Sequence, residues 1–287
     1  MKKIIALILA LIMCTFCLVS CGDGSAAAGN DTSADTANDT ANDTASDLAY
    51  VQNKGTLVVG ITYLEPLDFQ DADGNWIGFD AEVAAAVAAK LGVEVKFQEI
   101  SWEAKETELA AKQIDCIWNG LTITPARQEE MSITTPYMLN KQVAVVRAAD
   151  AEKYTSVESF AGATVAAEAG SAGEEIVNDK MADAAYVEKG VQLDALTEVK
   201  ALTADAAVID FVMAYYLVNK EGSDYADLQI LDIELSEEEY YGIAFRKGSD
   251  LTVKVNELLA ELTEDGTIGT IAAKYALTDA LVSMSEK

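Results

Sequence analysis

Residues 120–131, GLTITPARQEEM, combine residue types that can bind an anion. Thr124 suits a helix N-cap and Pro125 the first helical position. Arg127 then lies in the first turn, where the helix dipole disfavours a cation. A guanidinium can grip a carboxylate through two parallel hydrogen bonds, and the Thr122 hydroxyl and the helix N-terminus add donors. The stretch therefore predicts a carboxylate site, with an exposed arginine tolerated at small cost as the alternative.

Residues 168–175, EAGSAGEE, contain the capping-box pattern S-x-x-E directly after an apolar run. Ser171 is the predicted N-cap and Glu174 its reciprocal partner. The free amides of Ser171 and Ala172 would form a second corner that can receive an anion. A plain helix start fits the same residues equally well.

Asp210 lies in the stretch DAAVIDFVMAYY, residues 205–216, where a predicted strand ends and a helix begins. Ligands of open α/β sheets bind at that carboxyl edge of the strands. An acid facing Arg127 across a cleft would suit a ligand with one carboxylate and one ammonium group. The alternative role of Asp210 is N-cap of the following helix.

Residues 71–82, DADGNWIGFDAE, place oxygen-bearing side chains at four ligand positions of a calcium-binding loop. Such a loop needs glycine at its sixth position, which here is Trp76, and no helix precedes it. We therefore predict a tight turn or hairpin with Asp73-Gly74 at its tip, followed by a helix capped by Asp80. We expect no metal and no cofactor.

Elements that would position these residues alternate between short apolar strands and amphipathic helices, which predicts an α/β fold. One strand–helix series runs from residue 56 to about 146, and a second follows. A C-terminal strand, YYGIAF at 240–245, and two helices can rejoin the first series. The pattern predicts two lobes joined by two crossing strands.

The start of the sequence resembles the signal peptide of bacterial lipoproteins. Lys2 and Lys3 precede an apolar run, and Leu18-Val19-Ser20-Cys21 resembles a lipobox. This resemblance implies cleavage before Cys21 and a lipid on its sulfur, with an ordinary secretory peptide as the alternative. The polar residues 22–46 cannot bury apolar surface and should form a flexible tether with a reach of about 25–30 Å.

The charge excludes several classes of partner and mechanism. Without Lys2 and Lys3, 18 basic residues remain against 48 acidic ones, a net charge of -30. Nucleic acid and anionic headgroups would repel such a chain, so we expect no nucleic-acid partner, and only the lipid would hold it at a membrane. The sequence contains no His, which removes His-based triads and His-metal sites. Cys116 is the only cysteine outside residues 1–21, which leaves no internal disulfide.

Several motifs in order resemble the family 3 periplasmic solute-binding proteins, the polar amino acid receptors of ABC importers. They are GNWIGFDAEVAAAVAAKLG, QIDCIWNGLTITPARQEEMSITTPY, DAAVID and EDGTIGTIAAKY. The resemblance covers the whole body of the chain. It implies a two-lobed Venus-flytrap fold with two hinge-crossing strands, and an amino acid bound between the lobes.

The resemblance also implies roles for single residues. Arg127 would bind the α-carboxylate, helped by Thr122 and by the amide of Ala172 beside Ser171. Asp210 would bind the α-ammonium together with the carbonyl of Gly120. The walls would include Tyr63 and Trp102, and Trp118 and Asn119 are further candidates. Ala172 departs from the hydroxyl residue that many relatives carry.

We expect a signal peptide at 1–21, a tether at 22–47, a first lobe at 48–143 plus 241–287, and a second lobe at 144–240. The expected partners are an amino acid, the permease subunits of an ABC transporter and, through the lipid, the outer face of a cell membrane. We expect a monomer and no enzyme activity. A membrane-tethered sensor is the first alternative, and a cyclohexadienyl or arogenate dehydratase-like enzyme is the second.

Overall fold

The computed structural model describes residues 46–282. The strands in this range are β1 (Thr56–Ile61), β2 (Phe69–Gln70), β3 (Trp76–Ile77), β4 (Glu94–Glu99), β5 (Cys116–Thr122), β6 (Met131–Ile133), β7 (Met138–Asn140), β8 (Gln142–Arg147), β9 (Thr164–Glu168), β10 (Ala185–Lys189), β11 (Ala206–Asp210), β12 (Leu228–Ile230) and β13 (Glu239–Arg246). The α-helices are α1 (Asp47–Lys54), α2 (Phe79–Leu91), α3 (Lys105–Ala110), α4 (Pro125–Glu130), α5 (Ala172–Lys180), α6 (Gln192–Lys200), α7 (Phe211–Asn219), α8 (Leu251–Glu264) and α9 (Thr267–Lys274). Cys21, the predicted signal peptide and nearly all of the predicted tether lie outside the described residues.

The strands form two large sheets, one in each lobe of a mixed α/β fold. The first has the order β4-β1-β5-β13-β6, with β7 also paired to β13. The second has the order β10-β9-β11-β8-β12. In each sheet the three strands at one side are parallel, and the next strand runs antiparallel to them. The two-lobed fold predicted from the sequence is therefore correct.

The chain passes between the sheets twice. β7 pairs with β13 in the first sheet, and β8, only one residue later, pairs with β11 in the second. The return path runs from β12 in the second sheet to β13 in the first. Two adjacent crossings allow the lobes to rotate about a small number of backbone torsions, which is the geometry of hinge closure.

The strands and the helices that cover them both contribute to the core. Leu57, Val59 and Ile61 of β1 have no exposed surface, and Val83 and Val87 of α2 pack against the same core. These two residues form part of the buried face of α2. In residues 46–282 no helix is long and apolar enough to span a membrane.

The calcium-like stretch folds as the predicted turn. β2 and β3 pair as an antiparallel hairpin, and Gly74 at its tip has a φ of +82°. The Asp71 carboxylate accepts backbone N–H groups of Asp73 and Asn75 at 2.9 Å, so it is used inside the turn. Within residues 46–282 no group of three or more acidic, Cys or His side chains is arranged to hold a metal ion.

Asp80 does not cap α2, contrary to the sequence prediction. Gly78 is the N-cap, and Asp80 lies in the first turn with no exposed surface. Its carboxylate accepts the Gly120 amide at 2.9 Å and the Tyr137 hydroxyl at 2.8 Å. These long-range partners take the carboxylate away from the local capping geometry and tie α2 to the end of β5.

Candidate ligand-binding site

A buried cavity lies between the two lobes, at the carboxyl ends of β5, β9 and β11. Seven of the eight predicted ligand-binding residues line it: Trp102, Gly120, Thr122, Arg127, Ser171, Ala172 and Asp210. Asn119, a further candidate, also lines it, whereas Trp118 is buried elsewhere in the core. The enclosed space is about 10 Å³, room for about one water molecule, so an amino acid can enter only if the lobes move apart.

Tyr63 is the predicted residue that the structure does not bring to the cavity. Leu64, the next residue, lines the cavity instead. The Tyr63 ring lies 6.4 Å from the ring of Trp76, near the β2–β3 hairpin. Neighbouring side chains of an extended segment point to opposite sides, so an offset of one position replaces one wall residue by the other.

The first lobe positions Arg127 through a short capped helix. The Thr124 hydroxyl accepts the backbone N–H of Arg127 at 3.2 Å, and Pro125 occupies the first helical turn, as predicted. The side chain is buried rather than exposed. Its Nη1 donates to the carbonyl oxygen of Thr122 at 2.8 Å, and its Nη2 donates to that of Gly170 at 3.3 Å.

The charge of Arg127 has no close anionic partner among the described residues. Both carbonyl partners are neutral, and the nearest carboxylate, on exposed Glu175, is 4.0 Å away. The guanidinium is thus held by backbone oxygens at the cavity wall with its charge available to a ligand. A carboxylate there would form a charge-assisted pair in a site of low dielectric.

Asp210 lies on the second lobe and is held by three side-chain amides, one of which, that of Asn140, belongs to β7 of the first sheet. Its carboxylate accepts from Asn140 at 2.6 Å, Gln142 at 2.6 Å and Gln192 at 2.5 Å. Asp210 is the N-cap of α7 by position, but its side chain makes no capping bond. Burial raises the pKa of Asp210, and the amide donors oppose that rise by stabilising the carboxylate.

Backbone groups complete the site. Ser171 is the N-cap of α5, and its hydroxyl accepts the Glu174 amide at 3.1 Å, as predicted. The reciprocal arm differs, because the Glu174 carboxylate accepts the amide of Gly170 at 2.7 Å. Ala172 is then the first helical residue, and its amide belongs to the unsatisfied N-terminal set of a helix.

Gly120 and Thr122 belong to β5. Gly120 has a φ of +57°, and a Cβ there would lie 2.9 Å from the side chain of Leu64. Only glycine therefore fits this wall. The Thr122 hydroxyl donates to the carboxylate of Glu239 at 3.3 Å, at the edge of the hinge.

Two acidic residues that do not line the cavity, Asp68 and Asp80, lie behind this wall. Burial raises the pKa of Asp80 to about 6. Burial, together with the negative charge of Asp80, raises the pKa of Asp68 well above its usual range. Asp68 accepts from the Asn119 side chain at 2.7 Å. The pair therefore fixes the backbone of β5 from behind, where it does not line the cavity.

Sequence reasoning missed two polar residues of the cavity, Glu168 and Gln192. Glu168 ends β9. Like Asp210, it is an acidic residue at the carboxyl end of a strand, and this position could have marked it as a candidate. Gln192 begins α6, and both its Oε1 and its Nε2 bond to Asp210. No local pattern marks Gln192, because its role depends on how α6 packs beside β11.

A larger cavity of about 910 Å³ lies along the crossing segments and includes Phe211, Tyr215 and Leu231 in its wall. Asn140 and Gln142 separate it from the smaller one. Volume alone does not choose between them. The smaller cavity collects a guanidinium, two carboxylates and free helix amides from both lobes, so it is the candidate ligand-binding site.

The chain matches the family model described as bacterial extracellular solute-binding proteins, family 3, over residues 57–278. It is 28% identical over 280 residues to the arginine-binding extracellular protein ArtP of Bacillus subtilis, covering 96% of this chain and 98% of that protein. It is 30% identical over 279 residues to the L-cystine-binding protein TcyA of the same organism, covering 96% and 97%.

Solved structures show the same similarity. A substrate-binding protein of an ABC uptake transporter from Streptococcus pneumoniae, with bound histidine, has a TM-score of 0.77 and 29% identity, covering 83% of this chain and 99% of that one. The ancestral amino acid-binding protein AncCDT-1, a precursor of cyclohexadienyl dehydratase, has a TM-score of 0.74 and 30% identity, covering 80% and 99%.

Proposed function

The chain belongs to family 3 of the bacterial extracellular solute-binding proteins, and we propose that it binds a polar amino acid between its lobes and passes it to the permease subunits of an ABC importer. One observation carries the proposal. Arg127 of one lobe and Asp210 of the other line the same closed cavity, each held by neutral groups. An α-amino acid carries the two charges that match them. Relatives named for arginine, cystine and histidine support this ligand class.

The proposed contacts divide the ligand between the lobes. Arg127 binds the α-carboxylate, with the Ala172 amide beside Ser171 and the Thr122 hydroxyl as further donors. Asp210 binds the α-ammonium, with the Gly120 carbonyl as a further acceptor. Each group removed from water finds a partner, which is what a buried charge requires. Trp102 and Leu64 supply apolar wall.

Closure follows from this division. The proposed first lobe is 48–143 plus 241–287, and the proposed second lobe is 144–240. A ligand touching both lobes favours the closed state by its extra contacts there. We expect small-angle scattering to show a smaller radius of gyration with ligand than without. An unchanged profile with a confirmed ligand would contradict closure.

The test of ligand class is a thermal-shift screen of the twenty amino acids and cystine, because a ligand of the folded form raises its stability.

The variant Arg127→Ala tests the proposed contact with the ligand's carboxylate. Leaving the carboxylate buried and unpaired costs about 2–5 kcal/mol, so its affinity should fall by roughly 30- to 5000-fold. Arg127→Ala should still fold, although two carbonyls lose a donor. A variant that binds within threefold of wild type would place the carboxylate elsewhere.

We also propose that the mature protein is a lipoprotein, anchored through Cys21 at the outer face of the cell membrane. Cys21 lies outside the described residues, and the proposal rests on the lipobox-like sequence before it. Cys21→Ser should release the protein or leave an unprocessed precursor. Mass spectrometry that finds an unmodified N-terminus after residue 21 would contradict the anchor.

An enzyme related to cyclohexadienyl dehydratase is the second candidate, favoured by the similarity to AncCDT-1. Such an enzyme needs an acid aimed at the ring of its substrate, and Glu168 is an acid that lines the cavity. Product analysis after incubation with arogenate separates the two functions. The binding-protein proposal predicts that no product forms.

A further inference from the structure

Glu168 is a buried carboxylate whose surroundings do not explain it. It ends β9 at the cavity wall, is 3% exposed, and its buried Oε1 has no hydrogen-bond partner. Among residues 46–282, no Lys or Arg nitrogen lies within 4.0 Å of its carboxylate. A buried, unpartnered acceptor costs about 1–3 kcal/mol, more when it is charged, and such groups in native proteins call for an explanation.

The neighbouring cations form hydrogen bonds with other groups. The charge of Lys105 acts on Glu168, but its Nζ donates to the carbonyl oxygens of Trp102 at 3.1 Å and Gly170 at 3.0 Å. Lys189, paired with Glu168 across the sheet, directs its Nζ to Glu198 at 2.5 Å. Arg127 donates to the carbonyl oxygens of Thr122 and Gly170. No Lys or Arg of residues 46–282 therefore makes a close ion pair with Glu168, and Lys105 acts on it only through its charge at a longer distance.

The charges of the cavity do not balance for a neutral side chain. Its lining contains one cation, Arg127, and two acids, Glu168 and Asp210. Lys105, a further buried cation whose charge acts on Glu168, does not line the cavity and donates to backbone carbonyls instead. The proposed α-carboxylate and α-ammonium use Arg127 and Asp210, which leaves Glu168 without a partner. A neutral side chain would leave that carboxylate buried and unpaired, or force it to take up a proton.

Building on the proposed function, we propose that Glu168 accepts a hydrogen bond from a cationic group on the ligand's side chain, so that the site selects amino acids carrying a guanidinium or an ammonium group there. Glu168 and Asp210 end adjacent parallel strands, so the two acids face the same ligand from one sheet edge. Trp102 also lines the cavity, and the Nζ of Lys105 already lies 4.9 Å from the centre of its ring.

The proposed role of Glu168 also predicts that ligand affinity depends on pH. Burial, and then the charge of Asp210, raise the pKa of Glu168 well above its usual range. Lys105 and Gln192 oppose the rise, and Asp194 adds to it. A cationic side chain favours the carboxylate and lowers this pKa in the complex. The complex then binds fewer protons than the free protein, so affinity for a cationic amino acid should increase with pH.

The decisive experiment is calorimetric titration of wild type and Glu168→Gln with L-arginine, L-lysine and L-glutamine. Wild type should prefer the two cationic ligands. Glu168→Gln should lose about 10- to 100-fold in arginine affinity, the value of a charge-assisted hydrogen bond, and keep glutamine within threefold. Glu188→Gln is the matched control, because Glu188 is an exposed residue of β10 that does not line the cavity, and it should change neither affinity by more than threefold.

A pH series on wild type needs no variant and so does not depend on the folding of Glu168→Gln. The ratio of arginine to glutamine affinity should increase from pH 5 to pH 8, since any titration of Asp210 affects both ligands alike. Equal affinities with a flat ratio, or arginine binding within threefold in a folded Glu168→Gln, would overturn the role of Glu168 while leaving amino acid binding intact. A wild type that binds no amino acid would instead overturn the proposed function itself.

Discussion

Asp210 and Glu168 end neighbouring strands of the same sheet and line the same cavity, yet their surroundings differ. Three side-chain amides donate to Asp210 at 2.5–2.6 Å. Glu168 has a buried oxygen with no donor at all. Burial raises the pKa of both, but only Asp210 has a full set of neutral donors that favour its charged form.

The difference distinguishes recognition of the α-ammonium, which all α-amino acids share, from recognition of the side chain, which varies among them. Neutral donors fix the Asp210 carboxylate and stabilise its charge without cancelling it, so it can meet the ammonium that every α-amino acid carries. Glu168 lacks a donor to its Oε1, and only some ligand side chains can provide one. The same residue type therefore serves two purposes, because the neighbours differ.

The largest effect should come from Asp210→Ala. We expect affinity for every amino acid ligand to fall by roughly 30- to 5000-fold, because the ammonium loses its charged partner. The variant should also lose stability, since three buried amides lose their acceptor; loss of a helix cap, the reason suggested by the sequence alone, plays no part. Calorimetry and urea unfolding measure the two effects. A loss confined to cationic ligands would reverse the roles given to Asp210 and Glu168.

Gln192→Leu should make Asp210 resemble Glu168. Gln192 donates to the carboxylate at 2.5 Å and accepts the Asp210 amide at 2.9 Å. Loss of one hydrogen bond to a charged group should weaken binding of all amino acids by about tenfold and make binding more sensitive to acid. Gln113→Leu, an exposed change at the amino-terminal end of β5, is the control. Unchanged affinity would show that the Asp210 charge does not need this donor.

Glu168→Gln should stabilise the ligand-free protein at neutral pH. A carboxyl group with a raised folded pKa holds more protons in the folded than in the unfolded state between the two pKa values. Stability is therefore lost as pH rises above the unfolded value of about 4.3. Urea unfolding at pH 7.5 should favour the variant by an amount on the order of 1 kcal/mol, and the gap should close near pH 4.5. A gap that widens toward pH 4.5 would contradict the raised pKa.

Lys220→Ala should have the smallest effect. Lys220 pairs with Glu65 of the other lobe at 2.8 Å, and the lysine side chain is 47% exposed. Exposed pairs contribute about 0–1 kcal/mol, so affinity should change less than about fivefold. Because Glu65 already has Lys220 as its partner, we do not expect it to bind the ligand's side chain. A loss of affinity as large as that of Asp210→Ala, measured by calorimetry, would indicate that the Lys220–Glu65 pair, and not Glu168, recognises the side chain.

Local patterns in the sequence predicted the fold class and part of the candidate site, and the family resemblance added Gly120 and Trp102. Thr124 and Ser171 are N-caps, Gly74 turns a hairpin, and Asp210 closes a strand, all as expected from residue type and spacing. Strand ends meet at one edge of a sheet, so several cavity residues could be found without coordinates.

Contacts between distant segments account for what the sequence did not predict. Asp80 bonds to Gly120 and Tyr137 instead of capping α2. Leu64 replaces Tyr63 at the cavity because the course of the loop after β1 sets which side chain points inward. The lack of a donor to Oε1 of Glu168 depends on where Lys105 donates its hydrogen bonds, which no sequence pattern specifies.

The most direct test of the account is to remove each α-group from the ligand instead of from the protein. Calorimetric titration of wild type should compare the amino acid found by the screen with its analogue lacking the α-carboxylate and its analogue lacking the α-ammonium. For arginine these are agmatine and 5-guanidinopentanoic acid. We expect each analogue to bind at least about 30-fold more weakly than the parent amino acid, since each leaves Arg127 or Asp210 buried and unpaired. Binding of either analogue within threefold of the parent would contradict the pairing of Arg127 and Asp210 with the two α-groups.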